Sequence, residues 1–143
     1  SGLAVADDFL SNMPIVETKK RDSINDPISS GLETIYDGPM VTLVNGGTAS
    51  ASEILAGALQ DNERSKLLGS KTFGKGLIQS LTKLSDGSGL AITVASYLTP
   101  NGRDIHKNGI EPDIKAAITD EEATHSVAIK ISSIPKPEAV KYV

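Results

Sequence analysis

Residues 40–62, MVTLVNGGTASASEILAGALQDN, form the stretch of sequence that decides the fold. Its first part, Met40 to Val44, is a short and nearly all-apolar run, which is typical of a buried parallel strand. Asn45-Gly46-Gly47 ends this run sharply. The apolar residues that follow recur at helical spacing and predict a helix from about Ser50 to Asn62: Ala51, Ile54, Leu55, Ala58 and Leu59. A strand that leads directly into a helix indicates an α/β domain whose turn residues lie at the edge of the sheet.

The sequence on either side predicts further strands, loops and a hairpin. Before residue 40 we expect a helix from the first residue to Pro14, a strand over Ile15 to Lys20 and a mobile surface loop over Asp22 to Gly31. After residue 62 we expect a strand over Lys66 to Gly69, a hairpin of Leu77 to Leu84 with Leu90 to Leu98, a turn at Thr99 to Gly102 and a helix over Asp120 to Ile131.

Composition excludes several classes of function. The chain has 143 residues and a net charge of -4 without a dense run of Lys or Arg, which argues against nucleic acid or an anionic membrane as partner. No apolar run approaches the roughly 18 residues needed to cross a bilayer. With no cysteine and two histidines, thiolate or histidine metal sites are not expected. The sequence therefore favours one globular domain without a metal or cofactor.

Hydroxyl groups are concentrated where the central helix begins. If Ser50 attacked a carbonyl group, the N–H of Ala51 would face the developing oxyanion. The same residues also fit a structural role, because Ser50 and Glu53 form the pattern of a capping box. On this stretch alone, capping is the more common of the two explanations.

A nucleophilic serine needs a base, and Lys75 is the candidate because glycines on both sides allow another chain segment to approach closely. A lysine acts as a base only when neutral, a form that burial favours. The simpler interpretation is an exposed lysine in a loop. Residues 69–75 also fit the start of a phosphate-binding loop, but Gly76 replaces the required hydroxyl residue and the next segment favours a strand.

The segment Gly47 to Asn62 resembles the nucleophile segment of the carboxyl-terminal processing (tail-specific) serine peptidases. Later segments resemble the family in the same order: residues 71–76, residues 84–90, Thr99-Pro100 and residues 109–113. The resemblance covers about residues 1–115 and leaves 116–143 as an extension of unknown role. It implies a core like that of crotonase and Clp protease, built from β-sheet, helices and a β-hairpin.

The resemblance implies that Ser50 is the nucleophile, that Lys75 is its general base and that Ala51 supplies one oxyanion N–H. Members of the family differ in the third residue of the catalytic set, the one that accompanies the serine and the lysine. The matching positions here are Glu53, Asp61 and Gln79. We favour Gln79 as the residue that orients Lys75, because a nearby carboxylate would favour the protonated lysine. Glu53 is then mainly a helix-start residue, and both Glu53 and Asp61, which share the helix face of Ser50, are accessory candidates.

The implied reaction is cleavage of extended polypeptides near their C-terminus through an acyl-enzyme, in the periplasm, the thylakoid lumen or another extracytoplasmic space. In the family, a PDZ domain and a Gly-Gly segment that gives the second oxyanion donor lie upstream of the region that this chain covers. The competing class is a non-catalytic module, derived from a peptidase core, that binds extended peptides. In that case Ser50 serves only as a cap.

Overall fold

The computed structural model describes residues 2–116, apart from the side chain of Asp26. Its two helices are α1 (Gly2–Asp7) and α2 (Ala51–Asp61). Its strands are β1 (Pro14–Lys19), β2 (Ile24–Ser29), β3 (Val41–Val44), β4 (Lys66–Gly69), β5 (Leu77–Lys83), β6 (Gly89–Leu98) and β7 (Ile114–Lys115). Within this part of the chain, no helix is long and apolar enough to cross a bilayer. The helix predicted over Asp120 to Ile131 lies outside the described residues.

A parallel sheet in the order β3-β4-β7 follows from the strand, helix and strand that the sequence predicts. Helix α2 covers one face of it, where Val44 and Leu67 are buried. The prediction of a strand buried on both faces is wrong for β3, because Val41 and Leu43 are exposed on the other face. The two-residue strand β7 is too short for its periodicity to be recognised in the sequence.

An antiparallel sheet in the order β2-β1-β6-β5 forms the second layer. The predicted hairpin is confirmed, with β5 and β6 paired along their length and Gly89 opposite Lys83. The predicted loop over Asp22 to Gly31 is instead strand β2, paired with β1. Pro27 is tolerated there because β2 is an edge strand, where one side of the backbone needs no partner.

The main hydrophobic core joins α1, α2 and the antiparallel sheet. Its buried members are Ala6, Leu10, Ile15, Val16, Ile54, Ala58, Leu59 and Ile105. Helix α1 is shorter than predicted, but Leu10 still donates to the carbonyl of Ala6 at 3.0 Å and remains buried. A Cβ atom on Gly2 would lie 2.3 Å from the carbonyl oxygen of Ala51, so the start of α1 passes directly over the start of α2.

Candidate active site

The turn between β3 and α2 holds Ser50 in an unusual backbone conformation. Its φ is 56° and its ψ is -119°, and Ser52 N–H donates to the Ala49 carbonyl across it at 3.2 Å. These torsions match the first central position of a type II′ turn, which favours glycine. An ordinary N-cap residue has extended torsions instead. Such strain is found at functional sites, including the tight turns that present nucleophilic serines in α/β-hydrolases.

The capping interpretation of Ser50 is only half fulfilled. The Glu53 carboxylate does reach back to the Ser50 N–H, at 3.0 Å. The Ser50 oxygen faces the Glu53 N–H in the arrangement of a capping box, but the contact falls short of a regular hydrogen bond. Ser50 is also exposed. Its hydroxyl is therefore available to another partner.

Glu53 is fully buried, and its carboxylate accepts four hydrogen bonds. Oε1 accepts from the Thr72 hydroxyl at 2.6 Å and from the Gly74 N–H at 2.7 Å. Oε2 accepts from the Lys75 N–H at 2.8 Å and from the Ser50 N–H at 3.0 Å. A buried carboxylate needs this kind of full satisfaction. Glu53 therefore does more than start a helix, because it joins the Ser50 turn to the segment that carries Lys75.

This shared carboxylate brings together two residues that are distant in sequence. Because one oxygen of Glu53 accepts from both backbone amides, the nitrogens of Ser50 and Lys75 lie within about 6 Å of each other. A second bridge, from Phe73 N–H to the Thr48 carbonyl at 3.0 Å, holds the same two segments side by side. The fold thus places the predicted nucleophile and base on neighbouring backbones.

The glycines beside Lys75 allow the close approach that the sequence predicts. A Cβ atom on Gly76 would lie 2.6 Å from the backbone nitrogen of His106, and Gly74 has a φ of +91°. The partner segment is the loop of residues 105–109, to which the Gly74 carbonyl is joined by the Lys107 N–H at 2.9 Å. Lys75 itself is exposed. Residues 2–116 therefore fix its backbone but do not bury its side chain.

The N–H of Ala51 is free to stabilise a negative charge. As the first residue of α2, it lies before the first intrahelical hydrogen bond, and none of residues 2–116 accepts a hydrogen bond from it. The helix N-terminus adds a partial positive charge at this point. A carbonyl oxygen bound over the Ser50 turn can therefore be polarised by this group.

The two other candidate residues, Gln79 and Asp61, lie in different parts of the fold. Gln79 lies on β5, next to a bulge between Ile78 and Gln79, a type of irregularity that often re-aims side chains near active sites. Asp61 lies ten residues after Ala51, about 15 Å along the axis of α2. Its side chain is 3% exposed and forms an ion pair with Arg103. Asp61 is thus not brought to Ser50.

Sequence reasoning did not single out Thr72. Its hydroxyl donates to Glu53 and accepts from the Ile110 N–H at 2.7 Å. Thr72 therefore links the Glu53 carboxylate to the loop that precedes β7. Thr72 stands between Lys71 and Phe73, and nothing in that spacing marks it. Among the described residues, no group of three acidic or histidine side chains is arranged to hold a metal ion.

Comparison with known proteins gives consistent matches. The model of peptidase family S41 matches residues 1–116. The chain is 49% identical over 142 residues to a carboxyl-terminal-processing protease of Synechocystis, covering 99% of the chain and 31% of that protein. It is 46% identical over 144 residues to the chloroplastic carboxyl-terminal-processing peptidase 3 of Arabidopsis thaliana, covering 97% of the chain and 28% of that protein.

The fold matches as well. The solved structure of a photosystem II D1 C-terminal processing protease superposes with a TM-score of 0.78 at 48% identity, covering 81% of this chain and 30% of that one. The predicted fold class, an α/β core with helices and a β-hairpin, is thereby confirmed. The chain spans about a third of the length of the curated relatives that it matches.

Proposed function

The chain belongs to peptidase family S41, and from that premise we propose that it carries the catalytic centre of a carboxyl-terminal processing serine peptidase. The observation that carries this proposal is the strained backbone of Ser50, held next to Lys75 by one buried carboxylate. A helix cap needs neither the positive φ nor the second segment. A serine nucleophile and a lysine base require two segments held side by side, and a strained turn is a recurrent way to present such a serine.

In the proposed reaction, the neutral amine of Lys75 takes the proton of the Ser50 hydroxyl as its oxygen attacks the scissile carbonyl carbon. The Ala51 N–H stabilises the resulting oxyanion. The C–N bond then breaks, Lys75 gives its proton to the leaving amine, and an ester on Ser50 remains. Water attacks this ester with Lys75 again as base, which releases the new C-terminus and restores Ser50.

The contacts of Glu53, Thr72 and Asp61 support the remaining roles proposed for them, whereas the role of Gln79 rests on the family resemblance. Glu53 and Thr72 position Ser50 and Lys75 through the backbone and do not take part in proton transfer. Gln79 is the proposed orienter of the Lys75 amine, and Asp61 is assigned a structural role with Arg103. Lys75 is exposed in the part of the chain that the structure describes. The proposal therefore requires bound substrate, or other parts of the protein, to exclude water from the Lys75 amine.

We propose that the second oxyanion donor comes from the Gly-Gly segment that precedes this region in the family. The close approach of Gly2 to the Ala51 backbone supports this assignment, because it places the first residue of α1 beside the Ser50 turn. Loss of one such donor typically costs about a hundredfold to a thousandfold in rate. The proposed substrates are extended C-terminal tails of proteins, and the proposed location is an extracytoplasmic space such as the periplasm or thylakoid lumen. An upstream PDZ domain is part of the same proposal.

Mass spectrometry of an unstructured polypeptide tests this function. The chain, and a version extended upstream, are each incubated with the polypeptide and compared with Ser50→Ala and Lys75→Ala variants. Lys71→Ala is the matched control, because Lys71 lies in the same segment but pairs with Glu111 at 3.3 Å on the surface. We expect cleavage that both active-site variants lose and the control keeps. Cleavage by Ser50→Ala would contradict the proposal.

A further inference from the structure

Phe73 carries an exposed aromatic side chain on the segment that also carries Lys75. Side chains along residues 71–76 alternate between exposed and buried, and the exposed ones are Lys71, Phe73 and Lys75. A period of two is that of an extended chain, in which every second side chain points to the same side. Phe73 and Lys75 therefore lie on one face of this segment, with their Cα atoms about 7 Å apart.

The backbone of Phe73 is fixed although the residue is 66% exposed. Its N–H donates to the Thr48 carbonyl at 3.0 Å. On either side, the Thr72 hydroxyl and the Gly74 N–H donate to the buried Glu53 carboxylate at 2.6 and 2.7 Å. An aromatic ring on so constrained a backbone loses little conformational entropy when another molecule packs against it. Phe73 is thus suited to binding and contributes little to the core.

The same hydrogen bonds set the position of Phe73 relative to the candidate nucleophile and base. Phe73 is bonded to Thr48, and two residues further along both segments Ser50 and Lys75 share the Glu53 carboxylate. The two segments therefore run side by side in the same direction. Phe73 lies about 7 Å to one side of the Ser50 and Lys75 pair, so a peptide that extends to this side of the scissile bond passes its ring.

We propose that Phe73 is a specificity-determining residue that contacts an apolar substrate side chain at the first or second position after the scissile bond. Lys75 has to reach the leaving amine to protonate it, so this part of the substrate lies nearer to the Lys75 segment than the acyl part does. Packing of an apolar side chain on the Phe73 ring also covers Lys75 and excludes water from its amine, which favours the neutral base. This inference rests on the proposed peptidase function.

Peptides that differ only after the scissile bond test this assignment. They are derived from the site cleaved in the mass-spectrometry experiment, with leucine or serine at the first or the second position after that bond. In the chain extended upstream, we expect Phe73→Ala to lower kcat/KM about tenfold for leucine at one of these positions and less than about twofold for serine there. Phe73→Leu, which keeps an apolar side chain, should restore most of the preference for leucine.

The outcomes of this assay separate the inference from the peptidase function. An equal fall in kcat/KM for every peptide would mean that Phe73 only supports the site, and it overturns the inference, as does an unchanged kcat/KM for all of them. Either result leaves the peptidase function intact. Absence of cleavage by the unsubstituted chain refutes that function, and this inference with it.

Binding without turnover provides the second test. Fluorescent leucine and serine peptides are titrated by anisotropy against the extended Ser50→Ala chain. We expect the added Phe73→Ala change to weaken binding of the leucine peptide about tenfold and to leave the serine peptide unaffected. Leu32→Ala is the matched control, because Leu32 is 79% exposed in the loop after β2 and should affect neither peptide. Equal affinity for both peptides while Phe73 is present overturns the inference.

Discussion

Replacing Glu53 with glutamine separates the positioning role of this residue from a chemical one. A carboxylate can accept all four hydrogen bonds, whereas a glutamine amide has one acceptor oxygen. The amide nitrogen should turn toward Thr72, because that hydroxyl can rotate and accept, while the backbone N–H groups cannot. The glutamine oxygen then keeps the bonds from Ser50 and Lys75, whereas the Gly74 N–H and the Thr72 O–H both lose their acceptor.

From these contacts we expect Glu53→Gln to destabilise the fold by about 2 to 3 kcal/mol, because two buried donors lose a charged acceptor. This corresponds to a fall in Tm of roughly 10 °C for a chain of this size. Cleavage below the unfolding temperature should fall by about tenfold or less, because the Ser50 and Lys75 backbones stay in place. Glu53→Ala, which removes all four bonds, should lose activity even where it remains folded.

Thermal and urea unfolding followed by circular dichroism, together with kcat/KM, check this prediction. Glu63→Gln is the matched control, because it removes the same charge from an exposed position and should leave stability within about 0.5 kcal/mol. Unchanged stability of Glu53→Gln would refute the account of the buried Glu53 carboxylate and its four hydrogen bonds. Unchanged stability with cleavage abolished would show that Glu53 acts on the chemistry itself.

Three other substitutions test separate parts of the account. Asp61→Asn should weaken the fold by about 1 to 2 kcal/mol through the loss of its Arg103 ion pair, with kcat/KM unchanged within about twofold. Loss of cleavage in a folded variant would show that Asp61 has a role in the active site. The Leu67 N–H lowers the pKa of Asp113, so this group contributes stability above pH about 4 that is lost as pH falls through the lowered pKa. Asp113→Asn should reduce the loss of folding stability that occurs as the pH falls below about 4. An unchanged loss would count against this contribution of Asp113. Gly69→Ala should cost more than about 3 kcal/mol, because its Cβ atom would lie 1.9 Å from the Val44 carbonyl oxygen, and a soluble variant with native Tm would contradict this contact.

The strand and helix around residues 40–62 could be predicted because the spacing of apolar residues and the turn residues between the two elements both agree with the fold there. Helix α2 occupies Ala51–Asp61 with Ser50 and Asn62 as its caps, and β4 has the predicted bounds. The β2 strand was missed because its composition is that of a loop, and its pairing with β1 is a tertiary effect. Turn residues alone did not reveal it.

The candidate site could be predicted in identity but not in arrangement. Ser50 and Lys75 follow from the resemblance, but neither the positive φ of Ser50 nor the four donors around Glu53 can be derived from spacing. Helical periodicity places Asp61 on the same face as Ser50, yet distance along the axis and the contact with Arg103 keep them apart. A periodic pattern gives direction around a helix and says nothing of distant partners.

Labelling with a fluorophosphonate, a reagent specific for activated serines, tests the central claim most directly. The modified residue is located by peptide mapping, and the rate of adduct formation is compared between wild type and variants. The account predicts an adduct on Ser50 that forms in wild type and in Lys71→Arg but not in Lys75→Arg, whose guanidinium cannot act as a base. An adduct on another serine, or equal labelling of Ser50 in Lys75→Arg, would contradict the assignment of Ser50 and Lys75 as nucleophile and base.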